Sequence, residues 1–476
     1  MAVSAPTRPA TDHPTRRAVP VALALAAASL PMFMATLDNL VMTSALPVIQ
    51  AELGASIEQL QWMVNSYTLA FATLMLAAAT LGDRWGRRRV FLGGIAIFAL
   101  ASIGSAVATT AEALIAARAV QGAGAAAILP LSLTLLAGAV PAARRAMAIG
   151  IWGGVSGLGV ALGPVIGGAV VDGISWQAIF WLNVPVAVVA VPLILRALPE
   201  SRGRRQPLDV VGLTLVGAGV FAGVWGIVRA AEEGWGSLEV TGSLALGVAL
   251  IAGFVRHEGR TAHPLVPLRL FRSRSFSVAN VSGLAFMFGM FGAVFLLAQY
   301  LQIVGGYTPL EAGIRTLPWT AAPMIVAPIA GLIAPRVGVR LLLGTGLTLQ
   351  ALGLTWLALV ADAATPYVDL VPGFVLAGIG MGLTFAPSAT AVLADMASED
   401  HATASSTNAT IREIGGALGV AALVAVFQAG GGALTPAGYD DGLRAAILTG
   451  AAVVALGAIT TRWLPRNPGP GAAATS

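Results

Sequence analysis

The sequence predicts an all-α polytopic membrane protein with fourteen transmembrane helices. Of its 476 residues, 57% are hydrophobic and only 10% are charged, and the mean hydropathy is +0.83, which excludes an ordinary soluble protein. Roughly 20 apolar residues are needed to cross the bilayer core as a helix, and fourteen such stretches follow one another along the chain. The predicted spans begin near Pro20, Gln59, Val90, Ala111, Ala146, Ala178, Val210, Val240, Phe276, Gly313, Leu341, Val368, Ala404 and Leu443.

The basic residues are distributed unevenly between the two sides of these spans. All 27 are arginine, and 22 of them fall on one side if the N-terminus lies inside. Only Arg229 falls on the other side, with Arg315 and Arg444 at span edges. The positive-inside rule therefore predicts that both termini lie in the cytoplasm. Because the charge is spread over seven short segments, a nucleic-acid partner is excluded despite the pI of 10.3.

A weak internal repeat divides the chain into related halves. Arg84 and Gly86 after span 2 match Arg336 and Gly338 after span 10, as expected of transporters built from repeats. We therefore predict two pseudo-symmetric six-helix bundles plus two extra linker helices. The predicted segments are a disordered cytoplasmic tail (1–18), an N-terminal bundle (19–200), two extra spans (201–262), a cytoplasmic amphipathic linker (263–276), a C-terminal bundle (277–464) and a second disordered tail (465–476). A plain charged loop is the alternative for the linker.

Span 5 has an unusual composition. Between Gly150 and Gly168 it contains eight glycines and Pro164 without any charge. Several of the glycines are four residues apart, a spacing that lets a neighbouring backbone approach one face of the helix. The pattern indicates either ordinary tight packing or a helix that moves as a gate.

Three charged residues lie deep in the spans and are functional candidates by default: Asp38, Arg118 and Glu413. Asp38 and Arg118 both lie roughly 10 to 14 Å below the predicted outer surface, so they can pair if spans 1 and 4 adjoin. Burial raises the pKa of a carboxylate and a neighbouring arginine lowers it, so such a pair can bind and release a proton. The alternative is a static buried ion pair. Glu413 is either a second proton or cation site or the partner of a nearby arginine.

Five further residues are candidates to line a substrate cavity: Asn65, Tyr67, Gln299, Tyr300 and Trp319. Packing or contact with lipid is the alternative role for these side chains. The four histidines do not cluster and cysteine is absent, so we predict neither a metal site nor a disulfide.

Five segments in order resemble the major facilitator superfamily, in particular its fourteen-span drug:proton antiporter branch. They are LDNLVMTSALPVI in span 1, LGDRWGRRR after span 2, RAVQGAGAAAILP in span 4, the glycine-rich span 5 and WQAIFWLNVPV at residues 176–186. The resemblance runs from about Pro20 to Leu464. It implies two bundles around a central cavity that opens to each side in turn.

The resemblance also implies roles for individual residues. Arg118 resembles an arginine held to take part in proton coupling. The cytoplasmic gate motif would comprise Asp83, Arg84, Gly86, Arg87 and Arg88. The motif in span 5 that is associated with exporters would comprise Gly159, Gly163, Pro164, Gly167 and Gly168. The chain departs from the family pattern at Ala79, where the gate motif usually has glycine, and at Pro335, where the second half lacks the acid that matches Asp83.

These observations predict a protein that exports amphipathic small molecules, such as drugs, dyes or antibiotics, in exchange for protons. Its partners would be that small molecule, protons and the lipid bilayer; the proton gradient would supply the energy, with no cofactor, and the chain would act as a monomer. Some multidrug members of the family that export cations carry an acid in span 10, and this chain has none there. The charge of the substrate, whether cationic, neutral or anionic, is therefore left open. A dedicated exporter of one endogenous metabolite is the alternative. A membrane-embedded transferase or another enzyme is not expected, because no clustered catalytic groups are visible, and a nontransporting sensor would need a sizeable soluble domain.

Overall fold

The computed structural model describes residues 20–203, 207–397 and 400–465. In this part of the chain fourteen helices are long and apolar enough to cross a membrane, which confirms the predicted class and number. Every helix begins within four residues of its predicted start. Spans 1 to 14 are Val21–Leu53, Ile57–Trp85, Arg87–Ala106, Ala111–Ala139, Ala143–Gly173, Ala178–Ala197, Val210–Glu233, Leu238–Glu258, Arg274–Ile303, Leu317–Val337, Val339–Val360, Tyr367–Leu393, Thr403–Ala429 and Tyr439–Trp463.

The predicted disordered tail 1–18 lies outside the described residues, and so do residues 466–476 of the tail predicted at 465–476, together with Arg204 and Arg205. We call the end of the molecule that carries the connections after spans 2, 4, 6, 8 and 10 the arginine-rich face. The other end is called the opposite face.

Span 2 shows why one helix starts where it does. Ser56 Oγ accepts a hydrogen bond from the Gln59 backbone N–H (3.1 Å), while the Gln59 side chain accepts one from the Ser56 N–H (2.9 Å). This capping box satisfies N–H groups that the first helical turn leaves without partners. Gln59 also donates to Glu112 at the start of span 4 (2.6 Å), so the two helices begin at the same level.

Spans 1–6 and spans 9–14 each pack mainly among themselves, and spans 7 and 8 pack against each other. Span 7 also contacts both bundles. Its Val220, Val224 and Val228 form one apolar cluster with Trp62 and Leu69 of span 2 and with Ala417 and Ala421 of span 13. Span 7 therefore lies over the seam between spans 2 and 13.

The segment before span 9 packs on the protein. The Glu258 carboxylate accepts hydrogen bonds from the backbone N–H groups of Leu265 (3.3 Å) and Val266 (3.0 Å), and both side chains are buried. A short 3-10 helix follows at Leu268–Arg272. Arg269 in this helix makes two hydrogen bonds to Asp400, of 2.5 and 2.6 Å. Placement of this segment on the membrane surface stays a prediction.

The Arg269–Asp400 pair predicts a small loss of stability in acid. Hydrogen bonds from Arg269 hold the pKa of Asp400 below its ordinary value of 3.8. The pair therefore stabilises the fold fully above that pH, and the contribution is lost as the pH falls towards the lower pKa of the folded protein. Because Arg269 is largely exposed, we expect Asp400→Asn to lower the melting temperature by only roughly 1 °C at pH 7.

Thermal unfolding of the detergent-solubilised variants at pH 7 and pH 3 checks this expectation, with the exposed Asp441→Asn as control. The deficit of Asp400→Asn relative to the wild type should be smaller at pH 3 than at pH 7. A deficit that is the same at both pH values would contradict the role given to the ion pair.

Candidate coupling site and gates

Asp38 of span 1 is buried, with 4% of its surface exposed. Its Oδ2 lies 2.5 Å from Arg118 Nη1. Its Oδ1 accepts hydrogen bonds from Gln121 Nε2 (2.9 Å) and Asn183 Nδ2 (2.7 Å). The carboxylate of span 1 is thus held by a cation and an amide on span 4 and by an amide on span 6. Such a charge-assisted network fixes the position of a buried carboxylate.

Arg118 is fully buried. Its guanidinium carbon lies 4.3 Å from the centre of the Tyr67 ring, within the range of a cation–π interaction. Nε donates to the Met63 carbonyl (3.3 Å) and Nη1 also donates to Gln121 Oε1 (2.9 Å). Nη2 has no hydrogen-bond partner among the described residues. Among the described residues Asp38 is thus the one carboxylate paired with this cation, and both N–H groups of Nη2 are unused.

Gly122 allows spans 2 and 4 to come this close. A methyl group added at Gly122 would overlap the backbone carbonyl of Tyr67, which cannot rotate away. The absence of a side chain at this position brings Arg118, one turn earlier on span 4, against Tyr67 and Met63 of span 2. The glycine of the span 4 segment thus helps to position the charge.

Two polar residues of this network were not singled out in the sequence: Gln121 and Asn183. Gln121 follows Arg118 by three residues and so shares its helix face, which is a usable signal. Asn183 also donates to Ser102 Oγ (3.0 Å), and that hydroxyl donates to the Phe180 carbonyl (2.8 Å). Its only signal is an amide within an apolar span.

Glu413 lies on the side of span 13 that meets the N-terminal bundle, and among the described residues it makes no hydrogen bond or ion pair with this network. One turn later Ala417 packs in the cluster that contains Trp62. Among the described residues no basic group forms an ion pair with Glu413, and its Oε2 is buried without a hydrogen-bond partner. Its neighbour Arg412 lies over the Phe385 ring, 4.8 Å from the centre. The pairing with an arginine that the sequence left open is thus not seen in this part of the chain.

The five candidate cavity residues are all buried; Tyr300 and Trp319 belong to one apolar cluster and Tyr67 to another. Three have polar atoms without a hydrogen-bond partner among the described residues: both amide atoms of Asn65, Gln299 Oε1 and Trp319 Nε1. Such buried, unsatisfied atoms are rare in folded proteins. The two tyrosines use their hydroxyls on backbone carbonyls, Tyr67 on Ala35 (3.2 Å) and Tyr300 on Asp362 (2.7 Å). Whether any of the five contacts substrate stays a prediction.

The glycines of span 5 fall into two groups. At Gly159, Gly163 and Gly167 an added methyl group would come within 3.1 Å of residues 36–41 of span 1. At Gly168 it would overlap the backbone of Pro309 in the other half of the molecule. At Gly150, Gly153, Gly154 and Gly157 it would meet no atom of another described segment within 4 Å. Span 5 is therefore packed tightly towards the opposite face and loosely towards the arginine-rich face.

The two halves touch closely near the opposite face. Gly313, just before span 10, lies against the backbone of Pro164 in span 5. Thr320 Oγ1 donates to the Ala161 carbonyl (3.2 Å), and Gln302 Nε2 donates to the Ser44 carbonyl (3.1 Å). The passage between the halves is closed at this end.

The predicted gate motif lies at the arginine-rich face, between spans 2 and 3. Asp83 Oδ1 pairs with Arg87 Nε at 2.7 Å, and the chain turns at Gly86 with a φ of 115°. Arg88 Nη1 donates to the Leu198 carbonyl (3.2 Å). Arg84 has no ion pair with a described carboxylate. Within the described residues the polar contacts of this motif stay inside the N-terminal bundle.

Glu200, which was not predicted from the sequence, also contacts the gate motif. The Glu200 carboxylate, just after span 6, accepts hydrogen bonds from the backbone N–H groups of Arg88 (3.0 Å) and Arg89 (3.2 Å). A carboxylate is favoured at this place by the partial positive charge of the helix N-terminus. The first turn of span 3 is thus tied to the end of span 6.

Within 20–203, 207–397 and 400–465, no group of three or more His, Asp or Glu side chains could hold a metal ion. Of the histidines, His257 pairs with Asp209 at 2.9 Å.

Fourteen spans in two bundles, with a buried ion pair and a passage closed at one end, are features of membrane transport proteins. The family model of the Major Facilitator Superfamily matches residues 28–420 and 320–475. The chain belongs to this superfamily of membrane transporters, as its motifs predicted.

Three relatives illustrate the match in sequence. The Tetracenomycin C resistance and export protein of Streptomyces glaucescens is 36% identical over 84% of this chain and 74% of its own length. The Methylenomycin A resistance protein of Streptomyces coelicolor is 34% identical over 95% of this chain and 94% of its own. The Multidrug efflux pump LfrA of Mycolicibacterium smegmatis is 33% identical over 88% and 83%.

Solved structures agree in fold. A POT family transporter in complex with a thioalcohol conjugated peptide has a TM-score of 0.69 at 17% identity, covering 91% of this chain and 94% of that one. The human organic anion transporter MFSD10 (TETRAN) has a TM-score of 0.60 at 14% identity, covering 94% and 100%. These likenesses concern the fold alone.

Proposed function

We propose that this protein exports amphipathic small molecules, such as drugs, dyes or antibiotics, in exchange for protons. The observation that carries the proposal is the buried Asp38 carboxylate, which faces Arg118 within a chain of this superfamily. The names of the relatives support drugs and antibiotics as the substrate class. The protein would act in the bacterial inner membrane as a monomer, with both termini in the cytoplasm and no resident cofactor.

Asp38 would carry the coupling proton. Protonation removes the negative charge opposite Arg118 and turns one carboxyl oxygen into a donor. The contact with Arg118 must then change if Oδ2 takes the proton, and the contacts with Gln121 and Asn183 must change if Oδ1 takes it. Arg118 would then be a buried cation without its partner, a state that is costly. A substrate or a conformational change that compensates this cation would couple the movement of the proton to transport.

Glu413 would assist from the other half of the molecule. Its carboxylate has a buried oxygen without a hydrogen-bond partner among the described residues and lies where span 13 meets the N-terminal bundle. The substrate would contact Asn65, Gln299 and Trp319, whose buried polar atoms have unused hydrogen-bonding capacity. Tyr67 and Tyr300 would offer their rings, because their hydroxyls are engaged.

Inverted membrane vesicles that contain the protein test this proposal. After the vesicles acidify their lumen, a panel of lipophilic cations, neutral antibiotics and organic anions is added, and a pH-sensitive dye reports release of protons from the lumen. Release on addition of several unrelated compounds, absent from vesicles without the protein, is the expected result. No release with any compound, while the protein is shown to be in the membrane, would contradict multidrug antiport.

A dedicated exporter of one metabolite is the second candidate. Two of the relatives are named for resistance to a single antibiotic, tetracenomycin C or methylenomycin A. The same panel separates the two candidates, because a dedicated pump would respond to one compound and not to chemically unrelated ones.

A further inference from the structure

A groove runs along the outside of the C-terminal bundle, between spans 11 and 14. It has a volume of about 1140 Å³. Its walls are apolar or small, with Leu341, Leu349 and Leu352 on span 11 facing Ala452 and Ala455 on span 14. The groove follows span 11 from Arg340 to Thr355, about 22 Å at 1.5 Å per residue, which is more than the roughly 15 Å depth of one leaflet.

Three arginines surround the end of this groove at the arginine-rich face: Arg336, Arg340 and Arg462. No acidic residue lines the groove, and no carboxylate of residues 20–203, 207–397 and 400–465 forms an ion pair with any of the three. Trp463 is 63% exposed beside Arg462. Trp and Arg at the end of a span are typical of the membrane interface, where lipid headgroups lie.

Two of these arginines belong to the second copy of the gate motif, which lacks an acid. In the first half Asp83 pairs with Arg87. In the second half the position that matches Asp83 is Pro335, and Arg336, which matches Arg84, lines the groove. This copy keeps Arg336 and Arg340 but has no carboxylate of its own.

We propose that this groove binds an anionic phospholipid. The phosphate would lie against Arg336, Arg340 and Arg462, and an acyl chain would fill the channel between spans 11 and 14. A headgroup with net negative charge is favoured because no carboxylate in the described part of the chain forms an ion pair with the three cations. Basic pockets between transmembrane helices are suited to such headgroups.

Native mass spectrometry of the full-length protein, released from mixed micelles with phosphatidylglycerol or phosphatidylethanolamine, tests the proposal. The protein should retain phosphatidylglycerol in preference to phosphatidylethanolamine. The triple variant Arg336→Gln/Arg340→Gln/Arg462→Gln should lower the affinity for phosphatidylglycerol by about fivefold per arginine, or roughly a hundredfold in all. The matched control Arg196→Gln/Arg256→Gln/Arg260→Gln removes the same charge from exposed positions outside the groove and should change it by less than about twofold.

A second pair of variants tests the acyl channel without a change of charge. Ala452→Trp fills the groove and should lower retention of phosphatidylglycerol, whereas Ala445→Trp, on the same helix but not lining the groove, should not. Three results would overturn the proposal: equal retention of both lipids, an equal loss in the matched arginine control, or a dimer without lipid that Ala452→Trp dissociates. The last would identify a second copy of the chain as the occupant.

Discussion

Replacing Asp38 with Asn is expected to abolish proton-driven accumulation of substrate while leaving exchange of substrate across the membrane without a gradient. Asn has nearly the shape of Asp but can neither carry a proton of this kind nor neutralise Arg118, which lies 2.5 Å away. Removing one member of a buried ion pair costs about 3 to 5 kcal/mol of stability. We therefore expect a lower melting temperature as well as the loss of coupling.

In proteoliposomes, proton-driven accumulation and exchange without a gradient can be measured separately. Uphill transport driven by a pH gradient should fall to the level of empty liposomes, and exchange of labelled for unlabelled substrate should continue. Asp441→Asn, at an exposed position, is the control and should retain both activities.

The double variant Asp38→Asn/Arg118→Gln distinguishes coupling from structure. It removes both charges, so no buried cation is left without a partner, and stability should largely return. Coupling should stay absent. If the double variant regains transport driven by a pH gradient, the pair serves the fold and another group carries the proton.

A large side chain at Gly313 is expected to hold the passage open at the opposite face and to stop transport. An added methyl group there would already overlap the backbone of Pro164, and the main chain of span 5 cannot rotate away as a side chain would. Gly313→Leu should therefore disfavour the closed contact between the two halves. A shift of about 5.5 kcal/mol is enough to take a two-state equilibrium from 1:99 to 99:1, so one such overlap can decide which state is populated.

Accessibility of an introduced thiol measures this shift. The natural chain has no cysteine, so Ser44→Cys, which lies near this contact, gives a single reporter. In Gly313→Leu a membrane-impermeant maleimide should label it at least about tenfold faster than in the otherwise unchanged chain.

Gly331→Leu is the matched control, because an added methyl group there meets no described atom within 4 Å. It should leave both labelling and transport unchanged. Unchanged labelling in Gly313→Leu would show that this contact does not close the passage.

The sequence was sufficient to predict the spans and to single out both members of the ion pair, because each rests on a local signal, but not to show that the two residues touch. Length and apolarity define a span, and the depths of Asp38 and Arg118 allowed contact between them. The structure adds that spans 1 and 4 do adjoin. Roles in proton coupling for both residues and for Glu413 stay predictions.

Other contacts could not be predicted, because they depend on how each helix is rotated about its axis. Asn183 and Glu200 join segments about 110 to 145 residues apart in sequence, and their own neighbours in the chain carry no sign of this. Tyr300 illustrates the same point: its position within span 9 was clear, whereas the direction of its hydroxyl towards Asp362 was not.

The position of span 7 makes the two sides of the molecule unequal towards the surrounding lipid. It covers the seam between spans 2 and 13 with a continuous row of valines. Among the described residues no further span covers the seam between spans 5 and 10, and Met147, Ile151, Ile325 and Ile329 on these two spans are exposed. A compound dissolved in the bilayer therefore finds the interface between spans 2 and 13 covered by span 7, whereas the interface between spans 5 and 10 is open to lipid. We expect lateral entry from the membrane along spans 5 and 10.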